Sequence, residues 1–493
     1  MKKLDKTERE IRLEEKINQL KAENKKLKER DKYAKKTKAE MKADKATEGG
    51  TWRRGKKNSR LTEELRQAAL AELGEEDKGT VPGRNSTERL IRTCVKLYVR
   101  TGTGFRGVPE ILKVFNEEYG IAKAVSHQTV SDWVKTAGLA MYKEARGKLR
   151  ASGMKYAYII DESITVGSQK LLLILAIPAS HPGHALKHED VLVVGIFVAK
   201  SWKAEDVSKK LQEVTAEIGY KPEYVLSDNG HNLVKAATSM ELPHHKDIGH
   251  TLGLFLEDAY DGNAEFNEFR ELMRKARLKY HLTPTAYLLP PNQRSMARFM
   301  NLFQWVDWAV RLLYNFQKLS DEEKLAFAFV PAHKDLITEL GCAMECYTYV
   351  LQRVKNEGLS IKLCKELSIY IARNHIYPNN ARLTGVMMKV WDYLRNEASL
   401  LKPGQTHNLS SDIIESIFGI FKQKKSPNHL YGVTPFVLFI PAHTAIVGMH
   451  DTKSVDFKRV FSDYHQKDVD DWKDQNLQAN WVRTRTTTLA KVS

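Results

Sequence analysis

Between residues 155 and 250, short apolar runs and amphipathic stretches follow one another in an order that few folds accommodate. Continuous or alternating apolar residues predict strands, whereas apolar residues three to four apart predict helices. Three consecutive strands favour antiparallel pairing, and the later strand–helix–strand steps favour parallel pairing. We therefore expect a mixed α/β fold with helices on the faces of one sheet. The predicted strands are Tyr156–Ile160, Ser168–Ile177, Val191–Ala199, Tyr224–Leu226 and Asp247–Gly249, and the predicted helices are Lys203–Ile218 and Asn232–Met240.

Two aspartates come directly after predicted strands of this sheet. Asp161 follows the first strand and Asp228 follows the fourth. If these strands are neighbours, both carboxylates emerge at one edge, where oxygen ligands suit a hard divalent cation. A third acid on a helix crossing that edge would complete a two-metal site, and Glu415 is the best candidate because apolar residues flank it. A strand-end aspartate is also a common turn residue, and Asp412 competes with Glu415.

Two Mg²⁺ or Mn²⁺ ions about 4 Å apart could activate a water or a 3′ hydroxyl and stabilise the departing oxygen at phosphorus. This chemistry needs no covalent intermediate on the protein. The sequence indeed contains no G-x-S-x-G elbow and no catalytic Cys/His signature. Phosphoryl transfer by metal ions at Asp161, Asp228 and Glu415 is therefore the expected reaction.

Residues 155–425 resemble the transposases that have an RNase H-like fold and an Asp-Asp-Glu triad. The resemblance rests on IIDES around Asp161, LSDNG around Asp228 and DIIESIFGIFKQKK around Glu415. It implies a sheet interrupted by a helical insertion, and DNA cleavage and strand transfer at the ends of a mobile element. It also implies that the triad binds the metal ions.

Two further motifs belong to this resemblance. Asp247-Ile-Gly-His250 matches a signature that follows the second aspartate in the hAT and Mutator-like groups, which implies that Asp247 and His250 support the active site. The spacing from Glu415 to Lys422 is similar to part of a bacterial insertion-sequence signature, which implies a phosphate contact for Lys422. The accompanying Tyr and Arg are absent, since Asn408 and Ser411 occupy those positions.

The chain divides by composition into seven segments. We expect a basic helical arm that could form a short coiled coil, or alternatively a solvated helix, then a basic linker with Arg53, Arg54, Lys56 and Lys57 as DNA contacts. A helix-turn-helix domain, the interrupted catalytic core and an unassigned C-terminal region follow. The boundaries are 1–48 for the arm, 49–85 for the linker, 86–150 for the helix-turn-helix domain, 151–261 for the first part of the core, 262–405 for the helical insertion, 406–430 for the catalytic helix and 431–493 for the last region.

The helix-turn-helix prediction depends on two short helices, a turn near Gly120 and a third helix capped by Ser126. A plain three-helix bundle is the alternative. On a recognition helix, Gln and Lys could address base edges, and Thr and Ser could reach phosphates. The predicted DNA-binding residues of this helix are His127, Gln128, Thr129, Ser131 and Lys135.

The formal net charge is +17, which indicates a polyanionic partner, either nucleic acid or an acidic membrane face. No apolar run is long enough to span a membrane, and the N-terminus lacks the apolar stretch of a signal peptide. The four cysteines form neither a disulfide framework nor a zinc motif. We therefore expect a cytoplasmic protein that binds double-stranded DNA as a homodimer or higher oligomer.

Two other functions remain open at this stage. A non-catalytic helix-turn-helix regulator derived from a transposase would use only the basic arm and the DNA-binding domain. An RNase H-like nuclease would keep the fold and cleave without joining strands. Acids at all three triad positions favour an enzyme over the regulator.

Overall fold

The computed structural model describes residues 80–82, 85–119, 125–162, 169–292, 302–448, 455–477 and 481–490. All of them belong to the compact unit Asp77–Ser493. The predicted coiled-coil arm, the linker residues Arg53, Arg54, Lys56 and Lys57, and the turn at Gly120 lie outside the described residues. Among the residues described, no helix combines the length and the apolar character needed to cross a membrane.

A five-stranded mixed sheet forms the centre of the fold, and its strand order is β3-β2-β1-β4-β5. The first three strands pair antiparallel, whereas β1, β4 and β5 pair parallel. The predicted mixed α/β fold with an RNase H-like sheet and a helical insertion is thus confirmed. The strands are β1 Tyr156–Glu162, β2 Lys170–Pro178, β3 Leu192–Ala199, β4 Val225–Ser227 and β5 His244–Lys246.

The predicted fifth strand at Asp247–Gly249 is wrong. β5 consists of His244–Lys246, and Asp247 is instead the N-cap of the next helix. The side chain of Asp247 accepts a hydrogen bond from the backbone N–H of His250, which is the usual way in which Asp begins a helix. The strand escaped prediction because its three residues are polar and show no apolar alternation.

Helices cover both faces of the sheet and form the insertion. Numbered in chain order, they are α1 Glu88–Arg100, α2 Gly107–Tyr119, α3 His127–Ser152, α4 Ala204–Ile218, α5 His231–Thr238, α6 Ile248–Tyr260, α7 Ala264–Tyr280, α8 Leu302–Asn315, α9 Asp321–Ala326, α10 Phe329–Ala332, α11 Lys334–Glu357, α12 Ile361–Asn374, α13 Ala381–Ser399, α14 Asp412–Lys424, α15 Phe439–Gly448, α16 Phe457–Asp463, α17 Gln466–Asn476 and α18 Trp481–Ala490.

The two faces of β1 belong to different hydrophobic clusters, because successive side chains of a strand point to opposite sides. Tyr158 and Ile160 pack with α4 and α5. Ala157 and Ile159 pack in a second cluster with α1, α3, α14 and the C-terminal helices α15 to α17. The position of each acid along β1 therefore determines which layer it faces.

The insertion has its own hydrophobic core, which extends from Ile248 in α6 to Leu409. It begins earlier than the predicted boundary at 262 because α6 directly follows β5. The apolar residues of α6 to α8 and α11 to α13 are buried against one another in this core. The insertion leaves the sheet at β5 and returns to it just before α14.

The helices predicted as a helix-turn-helix domain are present at 88–119 and 127–152, but their buried residues share one cluster with the sheet and with α15 to α17. Helix α3 continues through the predicted boundary at 150 and ends at Gly153, whose φ of 60° suits a helix terminus without a Cβ. The C-terminal region, for which the sequence suggested no role, covers the buried side of α3. The described parts of these regions form one packed body.

Candidate active site

Asp161 and Asp228 lie side by side at one edge of the sheet. The parallel register of β1 and β4 pairs Ile160 with Ser227, so Asp161 of β1 comes directly after this pair on one strand and Asp228 follows the end of the other. Neighbouring strands are about 4.8 Å apart, and paired positions of parallel strands face the same side. Asp161 alternates with Ile160 and so shares the face of Ile159, onto which α14 packs. The predicted proximity of the two strand-end acids is explained by this register.

Glu415 approaches the same face from α14. Its helix buries Ile413, Ile414, Ile417, Phe418 and Phe421 in the cluster that contains Ala157 and Ile159. Glu415 lies in the first turn, on the side that is left partly exposed. Burial, with the nearby charges of Asp247 and Asp412, raises the pKa of Glu415, although His250 opposes this shift.

The acids interact electrostatically across the edge. Burial and the charge of Asp228 raise the pKa of Asp161 to about 7, and Glu415 adds to the effect while His250 counteracts it. Like charges held close together disfavour the ionised form of each, and a cation between them would reverse this effect. The edge therefore concentrates negative charge that the protein compensates only in part.

Asp247 is the central hydrogen-bond acceptor of the site. It is 1% exposed, and its Oδ1 accepts from the backbone N–H of His250 at 2.7 Å and lies 3.0 Å from His250 Nδ1. Its Oδ2 accepts from the backbone N–H of Ser411 at 2.7 Å and from the Ser411 hydroxyl at 2.8 Å. One buried carboxylate thus connects the first turn of α6 with the N-cap of α14.

His250 lies between Asp247 and the triad. Its Nδ1 is 3.6 Å from Glu415 Oε1. Burial disfavours the charged form of His250. The hydrogen bond and the negative charge of Asp247, together with the charges of Glu415 and Asp228, outweigh burial and raise the pKa of His250 to about 9. This shift favours the protonated form of His250. Asn229, which follows Asp228, also anchors to this helix, since its side-chain amide donates to Thr251 Oγ1 at 3.0 Å.

Two lysines at the end of α14 have different surroundings. Lys422 lies two turns from Glu415 on the same helix face. Burial lowers the pKa of Lys422, and the negative charges of Asp161 and Glu415 oppose this shift. Lys424 instead donates to the backbone carbonyls of Tyr98 and Thr101, each at 3.0 Å, and covers the Tyr98 ring at 4.5 Å. Lys422 belongs to the site, whereas Lys424 caps the end of α1.

Two neighbouring acids point elsewhere. Glu162 faces the opposite layer, where its side chain accepts from Lys170 Nζ at 3.0 Å and from Asn232 Nδ2 at 2.7 Å. Asp412 forms an ion pair with Lys355 of α11. Of the two acids that competed on α14 in the sequence, the structure brings Glu415 and not Asp412 beside His250.

Within the described ranges, no three His, Cys, Asp or Glu side chains lie close enough together to form a ready metal-binding set. The donor types nevertheless fit Mg²⁺ or Mn²⁺, because Asp161, Asp228 and Glu415 offer only carboxylate oxygens. After burial, the charges of Asp228 and Glu415 contribute to the raised pKa of Asp161.

The predicted DNA-binding residues occupy the first turns of α3. His127 and Gln128 are exposed, whereas Thr129, Ser131 and Lys135 are partly buried. Asp132 contacts two of these residues, since Gln128 Nε2 donates to it at 2.9 Å and Lys135 Nζ lies 2.7 Å away. Thr129 Oγ1 contacts the capping hydroxyl of Ser126 at 2.9 Å. Their part in DNA binding stays a prediction.

The helix start that the sequence indicates near Ser410 or Ser411 is present, with Ser411 as the N-cap of α14. Three buried polar residues were not predicted, since His245, Glu397 and His407 form a hydrogen-bonded chain in the interior. They carry no local signal, because His245 and His407 are 162 residues apart.

The solved structure of a Drosophila P element transposase strand transfer complex is similar to this chain, with a TM-score of 0.41 and 11% identity, covering 81% of this chain and 100% of that one. No protein-family model and no curated protein matches the chain. None of these results supports assignment to the bacterial insertion-sequence group.

Proposed function

We propose that this protein is a DNA transposase that cleaves DNA at the ends of a mobile element and joins the freed 3′ hydroxyls to target DNA. The observation that carries the proposal is the register of β1 and β4, which brings Asp161 and Asp228 to one edge. Glu415 and the cationic His250 and Lys422 surround the same edge. Carboxylates ringed by cations are what a site for phosphodiesters and divalent metals requires.

In this proposal Asp161, Asp228 and Glu415 hold two Mg²⁺ or Mn²⁺ ions. Such ions lower the pKa of an attacking water or 3′ hydroxyl and stabilise the leaving oxygen at phosphorus. Asp247 fixes the orientation of His250 and of the start of α14. Protonated His250 and Lys422 contribute positive charge where the scissile phosphate would lie.

The substrate is double-stranded DNA in two roles, as element end and as target. The basic residues 49–60 and the exposed start of α3 are the proposed contacts to element ends. Holding two ends at once calls for two or more subunits, so we propose a homodimer or higher oligomer on DNA.

The test is metal-dependent cleavage and joining on DNA that carries the sequences flanking the coding region. Asp161→Asn, Asp228→Asn and Glu415→Gln keep side-chain size and remove one charge each. We expect each to lower the rate at least about 100-fold, because each withdraws a metal ligand. DNA affinity, measured separately, should change little.

Asp412→Asn is the matched control, since Asp412 lies on the same helix and pairs with Lys355. It should retain activity within about threefold, as expected for a partly exposed ion pair. Loss of activity in Asp412→Asn with retention in Glu415→Gln would overturn the triad. Cleavage without joining would favour a nuclease, and tight binding without cleavage would favour a regulator.

A further inference from the structure

The chain returns from the insertion to the active site through residues 406–411, which we call the strap. Backbone hydrogen bonds tie it to three separate parts of the protein. Leu359 and His407 exchange two of them, at 2.8 and 3.0 Å, Ile248 N donates to Leu409 O at 2.9 Å, and His181 N donates to Thr406 O at 2.9 Å. Helix α14 begins directly after the strap, so the position of the strap determines where Glu415 lies.

A chain of buried polar side chains crosses from the insertion to the strap. Glu397 of α13 is 5% exposed, His245 of β5 is 0% exposed and His407 of the strap is 3% exposed. His245 Nδ1 lies 2.7 Å from Glu397 Oε2, and His245 Nε2 lies 2.9 Å from His407 Nδ1. We call these three residues the relay.

The relay extends into the sheet through Tyr224. Its ring stacks on the His407 ring, with centroids 4.1 Å apart and an interplanar angle of 18°. The Tyr224 hydroxyl accepts a hydrogen bond from the backbone N–H of Asn408 at 3.0 Å. Both His407 and Asn408 of the strap are therefore held against the strand that leads to Asp228.

The hydrogen-bond directions in the relay follow from the chemistry of its groups. An ionised Glu397 can only accept, so His245 Nδ1–H donates to it. Burial, and then the proximity of His245, lowers the pKa of His407 to about 4, so His407 is neutral near pH 7. A neutral His245 accepts from His407 Nδ1–H, and a protonated one donates to it. In either form the two rings are fixed in their relative orientation.

We propose that the Glu397–His245–His407 relay is a positioning device that fixes the register of the strap and thereby places Glu415 opposite Asp161 and Asp228. The inference rests on the proposed function. The hydrophobic contacts of the apolar face of α14 are non-directional, and the Asp247–Ser411 hydrogen bonds hold the strap at its last residue. A fully satisfied buried polar network costs more to displace and specifies one arrangement.

Hydrogen exchange and steady-state kinetics together test the inference. His407→Phe keeps an aromatic ring on Tyr224 and removes the hydrogen bond to His245. We expect exchange of the strap amides to accelerate at least about tenfold as local opening becomes easier. The kcat for cleavage of flanking-end DNA with Mn²⁺ should fall about 10- to 100-fold, with KM changed less than about twofold, because Glu415 is misplaced while DNA contacts persist.

His375→Phe is the matched control. His375 is a buried histidine of the same insertion, 2% exposed, whose two ring nitrogens contact the hydroxyls of Tyr370 and Tyr377 at 2.9 Å, away from the strap. It should leave strap exchange and kcat unchanged even where it lowers overall stability. If His407→Phe does not fold, Glu397→Leu and Glu397→Gln replace it. Gln keeps an acceptor for His245 and should restore most of the kcat that Leu loses.

The outcomes separate the inference from the proposed function. A wild-type protein that does not cleave overturns the function, and the exchange experiment still decides whether the relay holds the strap. With an active wild type, unchanged strap exchange in His407→Phe overturns the inference. Faster exchange with an unchanged kcat also overturns it, as does an equal kcat loss in His375→Phe.

Discussion

Asp247 connects two helices of the candidate site through one buried carboxylate. Burial opposes its charge, yet hydrogen bonds from His250 and Ser411 keep the pKa of its carboxyl below the ordinary value. A carboxylate has enough acceptor positions for all these donors, whereas an amide of the same size has only one acceptor oxygen. The requirement at position 247 is therefore for charge and acceptor number together.

Asp247→Asn should destabilise the protein by about 3 kcal/mol, because it breaks a buried charge-assisted network and leaves donors unsatisfied. Urea unfolding measures this loss. Asp258→Asn is the control on the same helix, where the carboxylate is 69% exposed and pairs with Lys389, and it should shift stability by less than about 0.5 kcal/mol. Equal effects of the two changes would show that Asp247 is an ordinary cap.

We expect His443 of α15 to make the stability of the fold depend on pH. It is 7% exposed, and burial, followed by the charge of His188, lowers its pKa to about 4. The pKa of this histidine is about 6.5 in the unfolded chain and about 4 in the folded chain, so the unfolded chain takes up the proton first as pH falls. Stability therefore falls as pH falls through this window, by about 3 kcal/mol in full. His443→Phe should remove that part of the slope in urea unfolding measured from pH 7 to 4.

At the scale of elements, prediction succeeded where local patterns decide the structure. The apolar runs of β1, β2 and β3 form buried strands whatever their neighbours, and Ser126 caps α3 as its sequence indicates. It failed for β5, whose residues His244–Lys246 form a strand because β4 offers an open edge for parallel pairing. A polar strand of this kind depends on tertiary context that no local pattern contains.

In the proposed function, helix α14 has a catalytic part and a structural part, and Lys422 and Lys424 distinguish the two. Lys424→Met removes the ammonium that caps α1 and should cost about 1.5–3 kcal/mol of stability, the usual value of a hydrogen bond to a charged group. Its DNA cleavage should stay within about twofold of wild type once folded. Thermal unfolding and cleavage rates are measured on the same preparations.

Lys422→Met should give the opposite pattern. The lysine interacts with Asp161 and Glu415, and its loss should lower cleavage at least about tenfold through weaker phosphate contacts. Stability should change by less than about 0.5 kcal/mol, since the side chain lies at the surface of the site. Loss of activity in Lys424→Met without unfolding would contradict this division of roles.

At the scale of the whole molecule, the site depends on contacts that lie far apart in the chain. Asp161 and Asp228 were predictable as neighbours because both lie at the carboxyl ends of strands, within β1 and directly after β4. The contact of Glu415 with His250 needs the entire insertion to return to β5. The relay joins positions 245, 397 and 407 for the same reason. Periodicity reports which face of a segment is buried, not which distant segment covers it.

The C-terminal region approaches α3 closely, and a substitution at this contact tests whether the region is an integral part of the fold. A Cβ at Gly138 would lie 1.8 Å from the carbonyl oxygen of Leu438, so Gly138→Ala must push the two backbones apart. We expect a loss of more than about 2 kcal/mol, as for an overpacked core. Gly147 lies on the same helix with nothing within 4 Å of its Cβ position, and Gly147→Ala should be neutral or stabilise by up to about 1 kcal/mol. Differential scanning calorimetry distinguishes the two variants.

A tolerated Gly138→Ala would mean that the segment before α15 does not pack against α3. The hydrophobic cluster that α3 and the C-terminal helices share would then be two separate cores.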